Sequence, residues 1–308
     1  MSKFNNRVFG CAIIKAINSN YNADFSHQPR TLPSGVVYAT DKALKYSIRN
    51  FWKNALDEKV FYSKSLTDEM SPRTLDETYE KFFGKDSLGE KDKKKLRFSV
   101  LTNLLSVVDI RIFGGTYAGK TNISLHGTCQ ITHGINRFPK NEIYSEQIMS
   151  PFRNPSDKNA DSTMTTLGTQ SKLSEGHYVH HFSVNPKNIA DDAKRVGSDG
   201  LTQDDIAKLK EGLRKGVTYY DSSAKSGSEN EVLFWVQLKE DSKAVLPSFV
   251  ELIQINGTGL DREIDFSSIK TLLAKENIAS EIEKIEVYYQ KGITKVVNLP
   301  ANSQELDI

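Results

Sequence analysis

A mixed α+β fold is predicted by three features of the 308-residue sequence. The first is an apolar run at residues 7–17 (RVFGCAIIKAI), with apolar side chains at both parities, which reads as a strand covered on both faces. The second is a pair of segments, residues 123–131 and 178–184, with the strict alternation of half-buried strands. The third is a set of stretches with a 3.6-residue apolar period, of which residues 40–55 and 202–216 are the best defined.

Composition and charge narrow the class of protein. With 38% hydrophobic and 26% charged residues, neither wholesale disorder nor a membrane protein fits. No apolar run of about 18 residues is present and the first seven residues lack the apolar stretch of a signal peptide, so a cytoplasmic location is expected. Cys11 and Cys129 are too few and too far apart for a disulfide framework or a cysteine zinc site, and read as buried fillers. The charge is uneven: residues 1–56 carry eight Lys/Arg against Asp24 and Asp41, whereas residues 237–308 carry eight against twelve Asp/Glu. A basic end and an acidic end suit a chain that holds a polyanion with one part of its surface.

Along the chain, residues 18–33 read as a polar loop, residues 36–38 as a short strand, and Thr40 as the cap of a helix. On that helix Leu44, Ile48, Phe51 and Ala55 form one stripe, while Lys42, Lys45, Arg49 and Lys53 fall within an arc of roughly 80° on another face. No acid offsets these four cations on the helix, the pattern of a phosphate-facing surface. Residues 57–105 read as a small helical insertion, with a cap at Ser71-Pro72 and apolar spacing at Leu96, Phe98, Leu101, Leu104 and Leu105. Its run Lys93-Lys94-Lys95 reads as a solvated face. The two alternating strands are separated by about 45 residues, far more than a hairpin needs, so residues 135–176 are expected to form a protruding hairpin-like arm. Thr202 begins the next helix, boxed by Asp205, with Gly216 as its stop. A strand at 233–238 follows a flexible loop that carries Lys225. Further expectations are a strand at 249–255, a helix at 266–279, and a hairpin joining 285–289 to 293–297.

Two motifs invite a chemical reading. Residues 114–121 (GGTYAGKT) satisfy the phosphate-binding pattern G-x-x-x-x-G-K-[ST], which would make the chain a P-loop nucleotidase. That loop needs a helix immediately after Lys120-Thr121, however, and the residues that follow alternate as a strand. His177, His180 and His181 suggest a metal, but on a strand 177 and 181 face one side and 180 the other, with no convincing partners, so core or surface histidines are expected. No nucleophile-elbow or cysteine-based catalytic signature occurs.

The blocks at 109–115 (DIRIFGG), 123–127 (ISLHG), 130–137 (QITHGINR) and 142–149 (EIYSEQIM) closely resemble one family, joined by 40–49 (TDKALKYSIR), 167–170 (LGTQ) and 175–178 (EGHY). The sequence resembles the repeating backbone subunit of type I CRISPR Cascade complexes (the Cas seven family), nearest the type I-B Csh branch, over most of residues 7–185. The resemblance implies a ferredoxin-like, RRM-related palm with a helical insertion and a long β-hairpin thumb. The parts would be palm at 1–56, insertion at 57–105, palm at 106–134, thumb at 135–176, and palm completion with C-terminal elements at 177–308. It implies a non-enzymatic antiviral protein that polymerises head to tail along guide RNA and presents it to a target DNA strand. Its other partners would be the Cas five subunit, the large subunit and a guide-processing endonuclease. By the family pattern Lys42, Lys45 and Arg49, with Lys53 on the same face, contact guide phosphates, and Phe113, Gly114 and Gly115 let backbone approach the RNA. Arg137, Met149, Leu167 and Gln170 belong to the thumb that wedges between nucleotides, and Arg111 and Lys225 complete the expected RNA-binding set. No catalytic residue, metal or cofactor is expected. Related type III subunits cut target RNA with an acid in the loop after the first strand. Asp24 lies in that loop and is read as a structural residue, which leaves a metal-dependent ribonuclease as the alternative.

Overall fold

The computed structural model describes residues 2–149 and 167–308. In chain order, β1 (Val8–Ser19) leads through a long loop and β2 (Tyr38–Ala39) to α1 (Asp41–Ala55). Residues 57–105 hold α2 (Leu75–Phe83) and α3 (Lys93–Leu105), followed by the six-residue α4 (Val108–Phe113). Strands β3 (Gly114–Ala118), β4 (Asn122–His126), β5 (Cys129–Ile131), β6 (Gly134–Asn136), β7 (Ile143–Met149) and β8 (Leu167–Val184) come next. Helices α5 (Ala190–Val196) and α6 (Gln203–Tyr219) precede β9 (Ser228–Leu238). The C-terminal part contains β10 (Gln254–Asn256), β11 (Glu263–Asp265), α7 (Ser267–Leu273), α8 (Glu276–Ala279), β12 (Ile282–Tyr289), β13 (Lys295–Val297) and β14 (Ser303–Leu306).

The two-faced apolar run becomes the centre of the main sheet, whose order is β14-β12-β9-β1-β8-β6-β2, with β5 and β7 also pairing to β8. β1 lies antiparallel between β8 and β9. Its even positions Val8, Ala12, Ile14 and Ala16 join a core with α1 and α6, and its odd positions Phe9, Cys11 and Ile13 join a second core with the C-terminal elements. Burial on both faces is why both parities had to be apolar.

Helix α6 begins as the sequence predicts, with a capping box in which Thr202 Oγ1 accepts the Asp205 N–H and the Asp205 carboxylate accepts the Thr202 N–H. It does not stop at Gly216 but continues to Tyr219. Gly212 and Gly216 instead let α6 lie directly on α1: a Cβ at 216 would stand 3.2 Å from the Ile48 backbone, and one at 212 would stand 2.7 Å from the Ile48 side chain. Thr40 occupies the N-cap position of α1, yet its own hydroxyl does not cap the helix and donates instead to Asn22 Oδ1.

Helices α2 and α3 build a third core with β3 and β4, through Tyr79, Leu96, Val100, Leu104, Tyr117 and Leu125. Phe98, predicted on the apolar stripe of α3, is half exposed. The cap predicted at Ser71-Pro72 sits at Thr74, boxed with Glu77. The alternation at 123–131 is real in burial, but the strand breaks at Gly127-Thr128, so that β4 pairs with β3 and β5 with β8.

Two expectations near the C-terminus fail. Residues 249–255 form a short 3-10 turn over Val250–Leu252 before β10 rather than one strand. Residues 285–289 and 293–297 are not a hairpin: β12 pairs with β9 and β14, whereas β13 pairs with β11 in a separate three-stranded sheet. The arm is a ribbon in which β7 runs antiparallel to the first part of β8, from Ile143 opposite Leu173 to Met149 opposite Leu167. The stretch 150–166, expected from the sequence to lie within the arm, falls outside the described residues.

The α1–α6 contact yields a stability prediction. Gly216→Val forces a branched side chain against the Ile48 backbone and should cost about 1–3 kcal/mol, the usual penalty of overpacking. The urea midpoint reads it, and a midpoint equal to wild type would show that α6 need not approach α1 this closely.

Candidate nucleic-acid interface

The four cations of α1 differ in their freedom. Lys42 is 85% exposed at the side chain, its Nζ 4.0 Å from the Asp41 carboxylate, and Lys53 is exposed, but Lys45 bonds Asp41 at 2.9 Å and Arg49 Nε bonds Asp109 Oδ2 at 3.0 Å. The expectation that no acid offsets this stripe is therefore corrected: one acid comes from the helix's own first residue and the other from α4. Burial pushes the Asp41 carboxyl up, but the hydrogen bond and charge of Lys45, with Lys42 and His133 nearby, outweigh it and hold the group below its ordinary value.

Asp109 is fully buried and accepts three donors, Arg49 Nε and the backbone N–H groups of Phe61 and Tyr62. Phe113, at the end of α4, stacks on Trp52 with ring centroids 5.3 Å apart, and the guanidinium of Arg49 lies 5.1 Å from its centroid. Lys45 Nζ approaches the same ring at 5.7 Å. Gly114 turns the chain with φ +68°, and a Cβ there would stand 2.3 Å from Gly127 N. A Cβ at Gly115 would meet the Tyr62 ring, so both glycines are required by contacts within the protein.

Other expected residues fall into separate groups. Arg111 forks onto Asp205, with Nη2 at 2.6 Å and Nε at 3.0 Å, and also donates to the Leu105 carbonyl. Arg137 bonds Glu251 at 2.7 Å and the Ile253 carbonyl, tying the base of the arm to the C-terminal part. Gln170 donates to the Ser223 carbonyl at 3.1 Å, which brings the arm against the turn that carries Lys225. Lys225 Nζ donates to the Tyr21 carbonyl and lies 5.2 Å from the Tyr21 ring centroid. Burial lowers its pKa to about 8. Met149 is exposed at the end of β7, and Leu167 is its register partner. Tyr46, half exposed between Lys42 and Arg49 on the cationic face, is not signalled by the sequence pattern because only charge distinguishes that face there.

The phosphate-loop pattern folds as a β-hairpin, β3 to β4, with Gly119 and Lys120 at its tip. Its tip is occupied by a carboxylate: Asp76 accepts the Lys120 N–H at 3.2 Å and the Tyr117 hydroxyl, and a Cβ at Gly119 would fall on it. An anion already sits where a nucleotide phosphate would have to be held. The Asp24 carboxylate accepts the N–H groups of Ser26 and Gln28, closing its loop as an Asx turn. His177 is sandwiched between Glu231 at 2.5 Å and Glu175 at 3.2 Å. His180 and His181 are both buried, and burial lowers their pKa to about 4. Among the described residues no group of three or more His, Cys, Asp or Glu could hold a metal ion, and no helix is long and apolar enough to cross a membrane.

Comparison with known proteins identifies the class. The family model described as "CRISPR-associated protein Cas7" matches residues 6–272. The chain belongs to that family. Among solved structures, a chain of a "CRISPR RNA-guided surveillance complex, pre-nicking" superposes with a TM-score of 0.59 at 12% identity, covering 98% of this chain and 96% of that one. A chain of a "CRISPR RNA-guided surveillance complex" gives a TM-score of 0.53 at 11% identity, covering 96% of each. The mixed α+β fold is thus shared with these subunits. No curated protein sequence matches the chain.

The buried groups set two expectations for stability. Asp109→Ala strands Arg49 and the backbone N–H groups of Phe61 and Tyr62, and should lower unfolding free energy by about 3–5 kcal/mol, as removal of one partner of a buried pair does. A decrease under about 1 kcal/mol in denaturant would remove Asp109 from its supporting role. For His180 and His181, held near 4 in the fold against about 6.5 unfolded, the unfolded chain takes up protons that the folded chain refuses as pH falls through that window. Stability should therefore decline from about pH 6.5 to 4. The His180→Gln, His181→Gln double variant should show a shallower decline in melting temperature over the same range.

Proposed function

We propose that the protein is the guide-RNA-binding backbone subunit of a type I, I-B-like Cascade surveillance complex. The observation that carries this is the family match over residues 6–272, and the fold shared with subunits of CRISPR RNA-guided surveillance complexes supports it. In this reading β9-β1-β8-β6 with α1 and α6 is a ferredoxin-like, RRM-related palm. Residues 57–105 are its insertion, and the β7–β8 ribbon belongs to a thumb at 135–176. Copies polymerise head to tail along CRISPR RNA, because contact of one patch with a different patch gives an open helical array rather than a ring. Base pairing between guide and target DNA then supplies sequence specificity, and the protein needs only to hold the backbone and present bases. The Cas five subunit, the large subunit and a guide-processing endonuclease would complete the cytoplasmic complex, and the chain itself would contribute no catalysis to antiviral defence.

Within α1 the phosphate contacts belong first to Lys42 and Lys53, whose charges are exposed, and then to Lys45 and Arg49, which share theirs with Asp41 and Asp109. The remaining set is Arg111, Phe113, Gly114, Gly115, Arg137, Met149, Leu167, Gln170 and Lys225. The Lys42→Glu, Lys53→Glu double variant should weaken binding to single-stranded RNA nearly independently of sequence. Its salt slope should flatten by about 0.7 for each phosphate no longer neutralised. Anisotropy titrations at several salt concentrations read both, and unchanged affinity and slope in the folded variant would remove this helix from the RNA surface.

A further inference from the structure

The cationic face of α1 carries an aromatic side chain among its charges. Lys42, Tyr46, Arg49 and Lys53 are spaced i, i+4, i+7 and i+11, so they lie on one face of the helix. Tyr46 is 48% exposed. It is not free to wander: Tyr220, the residue just after α6, meets it edge to face at a centroid distance of 5.2 Å and an interplanar angle of 70°. Lys225 Nζ lies 5.9 Å from the Tyr220 ring centroid. The turn that carries Lys225 is in turn bonded to the arm through Gln170.

We propose that Tyr46, braced by Tyr220 on the helix face that carries Lys42 and Lys53, is a stacking platform for one nucleobase of single-stranded RNA. The inference rests on the guide-binding reading above and adds to it a contact that reads the base plane rather than the phosphate. Three arguments carry it. An exposed aromatic ring on a cationic surface is the arrangement by which single-stranded nucleic acid is bound without sequence preference, since every base has a face to stack. A tyrosine fixed by a neighbouring ring loses little conformational entropy when a base settles on it. Finally, Lys225 Nζ lies 5.9 Å from the centroid of the bracing Tyr220 ring, so a cation flanks the aromatic pair on the side of the arm.

The test uses the full-length protein and a short single-stranded RNA carrying one 2-aminopurine. Tyr46→Ala should weaken binding by about 5- to 150-fold, the range found when a stacking aromatic is truncated. Tyr46→Phe, which keeps the ring, should stay within about twofold of wild type. Tyr46→Leu should resemble the alanine variant, which separates stacking from mere hydrophobic packing. The salt slope should stay unchanged in all three, since every phosphate is still neutralised, whereas Lys42→Ala should reduce it. A 2-aminopurine fluorescence change on binding should vanish in Tyr46→Leu and persist in Tyr46→Phe. Wild-type binding that survives Tyr46→Leu with affinity and fluorescence intact overturns the platform alone. A wild type that does not bind single-stranded RNA overturns the proposed function and the platform together.

Discussion

The carboxylate of Asp109 is the constraint on which this half of the molecule depends. A fully buried charge needs compensation from several donors, and it receives a guanidinium from α1 and the backbone N–H groups of Phe61 and Tyr62. Two residues further along the same short helix, Arg111 has the opposite role, giving its fork to the buried carboxylate of Asp205 on α6. Six residues of α4 thus hold α1 with an acid and α6 with a base, and those two helices already pack on each other through Gly212 and Gly216. Phe113 completes the joint by stacking on Trp52. The segment whose glycines suggest a bare approach to RNA is first of all the joint that fixes the angle of the cationic helix.

How much of this is legible in the sequence depends on the range of the interaction. β1 is readable because its two-sided burial is written in consecutive residues, and the start of α6 is readable because a capping box spans only four residues. α4 is not, since six residues carry too little periodicity to separate a helix from a strand and Val107 offers no side-chain cap. Gly216 carries the ordinary signal of a helix stop, and only the proximity of Ile48, far away in sequence, gives it its other meaning. The hairpin expected at 285–297 fails for the same reason, because β12 and β13 take partners in different sheets that local pattern cannot name.

The candidate site divides along the same line. The angular position of four cations on α1 is a property of the helix period and holds in three dimensions. Their charge state as a group is not local: Arg49 is neutralised by a residue sixty positions away, and Lys45 by the residue at the head of its own helix, one turn earlier. The glycine-rich octet at 114–121 shows the limit of motif reading most plainly. Its residue types match a phosphate cradle, but with a strand following it the backbone folds back as a hairpin, and Asp76 from α2 fills the tip.

On the proposed reading, this neutralisation bears on how each copy in an array along the guide would hold RNA. Were all four cations free, each copy would hold RNA strongly and non-specifically by itself, and would meet the guide no more readily than any other polyanion. With two of the four charges balanced inside the chain, the electrostatic grip per copy falls, while Lys45 and Arg49 stay rigidly placed by their partners. Affinity for a long strand then has to come from many copies acting together, with each neighbour raising the effective concentration of the next. On the proposed reading, the internal acids that weaken one subunit are what make binding depend on ordered assembly along the guide.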